Sequence, residues 1–308
     1  MRIQACLCLI VLTALAGATP AQDAAPSPAK TLGYAFLTSD YGARKVCRVN
    51  AAGEIDWEIK ANRPQDVWLL PNGNVLFTHV RGVKEVTLDE AKKTVWEYKI
   101  TGRNEVHCCQ PLANGVVMVI ESGPMRIVEV DRSGKIVHEV KLQTKSKNIH
   151  GRNRLARKLA NGNYLVGQYS DGVVREYDPT GKIVWEFKHK QAFGGIRLAN
   201  GNTLIATGDA HKVIEVNAKG KVVWEIREND LPGNPLRFVA GLQRRANGNT
   251  VICNWGGHGH IGEQPQIVEV SRDKKVVAEL SNWKRFRTLT AVFVLSEKGD
   301  PTKFELTR

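Results

Sequence analysis

From about residue 32 onward, apolar and polar positions alternate in short runs. VLFTHV (75–80), VVMVIES (116–122), YLVGQYS (164–170) and TLIATGD (203–209) are each bounded by Gly, Asn, Asp or Pro. Such runs predict β-strands. No stretch sustains the helical spacing of apolar residues, so the chain is expected to be all-β.

The strands belong to a repeat. One phrase reads NAAGEIDWEIK at 50–60, DEAKKTVWEYK at 89–99, DRSGKIVHEVK at 131–141, DPTGKIVWEFK at 178–188, NAKGKVVWEIR at 217–227 and SRDKKVVAELS at 271–281. A second phrase alternates with it: LPNGNVL, LANGVVM, LANGNYL, LANGNTL and RANGNTV, starting at Leu70, Leu112, Leu159, Leu198 and Arg245. The distance from the Asn of Asn-Gly to the Trp column is 24 residues in four units and 31 between Asn247 and Ala278. One module is being copied with a fixed register, which indicates a closed or open array. Each unit supplies four strands, A to D. Asn-Gly predicts a type I′ turn between A and B, with positive φ at both residues. Gly53, Gly134, Gly181 and Gly220 supply positive φ between C and D. Lys92 and Lys274 replace that glycine, so those turns should differ in type or carry strain.

Six D strands but only five Asn-Gly turns imply a split unit. TAVFVLSEKGD (290–300) resembles strand A, and the chain begins with strands B to D. The prediction is a six-bladed β-propeller over 32–308, four antiparallel strands per blade, with the C-terminal strand joining the N-terminal blade to remove exposed edges. An open β-solenoid is the alternative, and it would not need the split. The Trp column (Trp57, Trp96, Trp185, Trp224) is expected to pack between blades. The Glu that follows it in every unit is expected to be a strand-surface charge, because a site needs asymmetry.

Asymmetry lies in the loops opposite the short turns. Insertions fall at 143–153 and 227–238, and a third contains NWGGHGH, residues 254–260. This variable face is where function is expected. It gathers His107, His150, Arg152, Arg154, His211, Trp255, His258 and His260 as candidate ligand-binding residues. Arg and His around a channel mouth suit carboxylate, sulfate or phosphate groups. His258 and His260 are candidate metal ligands, but His-Gly-His offers two donors where a metal needs three or four.

Composition adds three points. The net charge is +13; this supports weak adherence to polyanions, without pointing to specific nucleic-acid recognition. Residues 1–21, with Arg2, a short apolar run and small residues after it, read as a signal peptide, followed by an Ala/Pro-rich linker at 22–31. A secreted or periplasmic protein, monomeric and without a membrane span, is expected. Cys47, Cys108, Cys109 and Cys253 are too few for a disulfide framework; Cys108 and Cys109 read as buried thiols, and a Cys47–Cys253 bridge is left open.

GKIVWEF and GKVVWEI, each with LANGNxL, resemble the PQQ-like (quinoprotein-like) β-propeller repeat superfamily over about residues 32–300. Quinoprotein dehydrogenases of that superfamily have eight blades and bind pyrroloquinoline quinone (PQQ) with a metal ion; six blades count against PQQ here. The unit also resembles six-bladed arylsulfotransferase-type propellers. That resemblance implies a channel histidine nucleophile, with His107, His150, Arg152 and Arg154 as the candidate catalytic positions. The function expected first is a binding module for a small polar or anionic ligand, or a protein partner, on the variable face. An arylsulfotransferase-like enzyme is the alternative, and a quinoprotein-like or metal-dependent oxidoreductase follows.

Overall fold

The computed structural model describes residues 30–308. The expected signal peptide and most of the expected linker lie outside the described residues. Twenty-four described strands form six four-stranded antiparallel sheets. Leu289–Val294 pairs with Phe36–Asp40, so the last strand completes the first sheet and closes the ring. The first strands of neighbouring blades approach one another and line the centre. The protein is a six-bladed β-propeller. No described helix is long and apolar enough to cross a membrane.

The inter-blade role of the tryptophans is visible in their hydrogen bonds. The indole N–H of Trp57, Trp185 and Trp224 donates to the backbone carbonyl of Asp89 (3.1 Å), Ala218 (3.0 Å) and Arg272 (2.9 Å). Each acceptor sits in the C–D turn of the next blade. The glutamates that follow are surface partners: Glu58 pairs with Lys45 at 2.9 Å and Glu139 with Arg126 at 2.7 Å. Such pairs contribute at most about 1 kcal/mol each.

The Asn-Gly turns differ from expectation. Gly73, Gly162, Gly201 and Gly248 have positive φ but the preceding Asn does not; only Asn114-Gly115 has both. The Leu70 N–H bonds Asn74 O and the Gly73 N–H bonds Leu70 O, both at 2.9 Å. This is a three-residue loop ending in a left-handed glycine, not a two-residue type I′ turn. The longer loop frees the next asparagine: the side chains of Asn74, Asn202 and Asn249 each donate to a strand-C glutamate (Glu85, Glu215, Glu269) at 2.7 Å. The two glycine-free C–D turns follow different routes. The turn closed by Thr87 N–H to Lys93 O is longer, whereas Ser271 N–H to Lys275 O keeps the three-residue form; Lys92 (φ 47°) and Lys274 (φ 60°) both occupy the left-handed region. That conformation costs a side-chain-bearing residue about 1–2 kcal/mol.

On the turn side the channel is closed. Asp66, Arg157 and Arg308 are all buried. The Arg157 guanidinium donates to Asp66 at 2.9 Å and to Arg308 O at 2.8 Å, and Arg308 donates to Val67 O at 2.5 Å and to Asp66 at 3.3 Å. The two guanidinium groups lie 4.9 and 4.1 Å from the Trp68 ring centre. Cys47, Cys108, Cys109 and Cys253 are buried free thiols, and burial pushes Cys108 up to about 12.

Candidate functional site

The repeat register defines the mouth of the channel. Five residues before the start of each second phrase, with Leu295 marking the split blade, stand Gln65, His107, Arg154, Phe193, Ala240 and Thr290. All but His107 line one cavity of about 290 Å³ on the variable face. Above this ring the walls are Tyr41, Asn148, His150, Gly151, Tyr169, Ser170, Phe238, Trp255 and His258. The insertions at 143–153, 227–238 and 254–266 therefore meet over the first strands.

Arg154 is the only cation of the ring. Among the described residues no carboxylate lies within ion-pair distance of it, and its Nε hydrogen is buried without a partner. Its guanidinium lies 5.9 Å from the ring centres of both Tyr169 and Phe193. Burial lowers its pKa from the ordinary value, yet a guanidinium stays protonated. The result is a positive charge held among aromatic faces, with hydrogen-bond donors to spare.

NWGGHGH turns out to be both a loop and a wall. A Cβ on Gly257 would lie 1.5 Å from the Trp255 ring, and Gly256 has φ +68°. The glycines let the backbone fold back across Trp255. The indole packs edge-on against Phe238 (5.0 Å), Tyr41 (6.1 Å) and His258 (5.2 Å). His258 Nδ1 meets Asp209 at 2.8 Å, and the Tyr169 hydroxyl donates to the other oxygen of the same carboxylate. Asp209 thus ties the loop to the pocket wall.

A second cluster lies behind His150. One oxygen of Glu105 is 2.9 Å from His107 Nε2 and 2.7 Å from His150 Nδ1, and His107 Nδ1 is 2.7 Å from Asn153 O. His107 is buried, while the His150 side chain is 43% exposed. Burial pulls His107 down to about 4, and the two histidine rings against Glu105 hold it well below the usual carboxylate range.

Of the residues singled out from sequence, His150, Arg154, Trp255 and His258 come together in the cavity. His107 sits beneath His150. Arg152 points elsewhere and donates to the backbone of Ser146, Ser122 and Gly123, pinning the 143–153 insertion. His211 bonds Glu228 and His260 bonds Glu263, each at 2.9 Å. His258 and His260 engage different carboxylates. The described group of three converging metal-type donors is Glu105, His107 and His150 instead. Gln65, Phe193, Ala240 and Thr290 carry no charge to attract notice; counting back from the second phrase finds them.

Residues 46–275 match the Mal s 1 allergenic protein-like family. The chain belongs to this family. A protein of unknown function from Bacteroides caccae is 30% identical, over 84% of this chain and 97% of that one, with a TM-score of 0.77. Virginiamycin B lyase from Staphylococcus aureus, in a catalytically inactive form with quinupristin, is 16% identical over 85% of this chain and 89% of that one (TM-score 0.57). Kuenenia stuttgartiensis hydrazine synthase is also 16% identical, over 83% and 81% (TM-score 0.54). These two share the propeller fold with the Mal s 1-like chain. No curated protein matches it.

Proposed function

We propose that this Mal s 1-like propeller is a binding module that takes a small anion with an aromatic or flat apolar body in the mouth cavity. The observation that carries the reading is Arg154, a cation facing the cavity without a carboxylate of its own. A carboxylate, sulfate or sulfonate ligand supplies the missing charge and accepts a bidentate hydrogen bond. Tyr41, Phe193, Phe238 and Trp255 supply stacking surface, and the size of about 290 Å³ suits a one- or two-ring molecule. With the N-terminal segment read as an export signal, the ligand is met outside the cytoplasm. The likeness of the repeat units to PQQ-like propellers supports reading this chain as a relative of that superfamily.

The test is calorimetric titration with a matched pair, an aryl carboxylate and its neutral primary amide. The anion should bind and the amide should bind about 10- to 100-fold more weakly, the equivalent of a charged hydrogen bond. Equal affinity for both would sink the reading.

One observation favours a transferase as second reading. Glu105 accepts from His150 Nδ1, which leaves Nε2 as the free lone pair of a partly exposed ring on the cavity wall. This is the geometry of an oriented nucleophile or base. It requires transfer of the sulfuryl group from an aryl sulfate, by way of His150 Nε2, to an acceptor phenol with release of the donor phenol, and this activity should be lost in His150→Asn.

A further inference from the structure

We propose that Glu105, His107 and His150 form a site for one divalent transition-metal ion, zinc foremost, in the wall of the mouth cavity. The proposal does not rest on the anion reading.

The neighbours of His107 fix its tautomer. A carbonyl oxygen only accepts, so the 2.7 Å contact with Asn153 O fixes the hydrogen on Nδ1. In the neutral ring Nε2 is then a lone pair. It faces an ionised carboxylate oxygen at 2.9 Å, which also only accepts. Two acceptors are pressed together in a buried place, and something positive must lie between them. A proton or a metal ion can take that place, and a third donor on the same oxygen favours the ion. A divalent cation satisfies both lone pairs, and His150 Nδ1, 2.7 Å from the same oxygen, is the third donor.

The surroundings agree with this. The three donor atoms lie within 4.8 Å of one another. A tetrahedral zinc with bonds of about 2.0–2.1 Å holds its donors roughly 3.3 Å apart, so a small outward relaxation admits it. The Nδ1–H of His107 donating to a backbone carbonyl is the outer support that metal-bound histidines use. Two histidines and one glutamate leave a coordination position open, the pattern of reactive rather than structural zinc. His150 lines the cavity, so a bound ligand could reach the ion. Metal on His150 Nδ1 would turn its Nε2 into an N–H donor, which is incompatible with the transferase nucleophile.

The full chain, purified without a polyhistidine tag and stripped with EDTA, is titrated with zinc chloride by calorimetry and with cobalt chloride by visible absorption. One equivalent should bind, and cobalt should develop the absorption of a low-coordinate site. Glu105→Gln and His150→Asn, both at partly exposed positions, should each weaken zinc by more than the roughly 10- to 100-fold that loss of an outer partner costs. Circular dichroism and melting confirm that both variants fold. Absence of zinc binding, unchanged binding in the two variants, or binding abolished only by His258→Ala with His260→Ala would each overturn the site. Failure here leaves the anion titration intact, and an absent anion effect leaves the zinc result intact.

Discussion

Arg154 and Arg157 stand three residues apart, one just before the strand Ala156–Lys158 and one within it, and their surroundings are opposite. Arg157, on the closed side of the channel, is buried with Asp66, a backbone carbonyl and the Trp68 face as partners. Arg154, at the open mouth, has aromatic faces and no carboxylate. The same side chain is structural where the fold satisfies it and available for recognition where the fold does not. The unpaired charge, more than the loop lengths, distinguishes the two ends of the channel.

Substitutions at the two ends of the channel should have unequal effects. Arg157→Met should be the most damaging change, since it strips a buried partner from Asp66; a loss of about 3–5 kcal/mol is expected by urea unfolding. Arg154→Met should leave stability within about 1 kcal/mol of wild type or raise it, because a partly desolvated charge without a partner is removed. The same variant should lower affinity for an aryl carboxylate about 10- to 100-fold. A stability loss equal to that of Arg157→Met would erase the distinction between the two ends. Gly257→Ala, which pushes a methyl into the Trp255 ring, should weaken the same ligand by about 1 kcal/mol in calorimetry, with the melting temperature little altered because the loop is peripheral. Lys92→Gly is the smallest effect: relief of the left-handed strain should stabilise the protein by about 0.5–1 kcal/mol after the extra freedom of the unfolded glycine is offset. Ligand affinity should not change.

The ring was legible because the repeat fixes a register, and the unequal count of phrases revealed the split blade. The turn type was not legible from Asn-Gly alone. The dipeptide does not state the loop length; the three-residue loop goes with a further bond, Asn74 to Glu85 and its counterparts, formed between strands. Face assignment by loop counting brought His150, Arg154, Trp255 and His258 to the mouth. His211, His260 and Arg152 share that face but are taken up by nearby carboxylates or backbone carbonyls, which only three-dimensional contact reveals. Glu105 and His150 are 45 residues apart in sequence and meet because the 143–153 insertion folds back over the preceding blade. His-Gly-His looked like a metal motif through adjacency, but backbone turns at its glycines send the two rings to different partners.

If the unpaired Arg154 makes the mouth cavity a receptor for small anions, as proposed, ligand must stabilise the fold through this side chain. Thermal unfolding of wild type and Arg154→Met, each with and without an aryl carboxylate at saturating concentration, tests it most directly. Ligand that binds only the folded state raises stability by about 2.7 kcal/mol at a hundredfold excess over Kd. Wild type should show a clear rise in melting temperature and Arg154→Met little or none, with similar ligand-free midpoints. Equal ligand-induced shifts in the two proteins would contradict it.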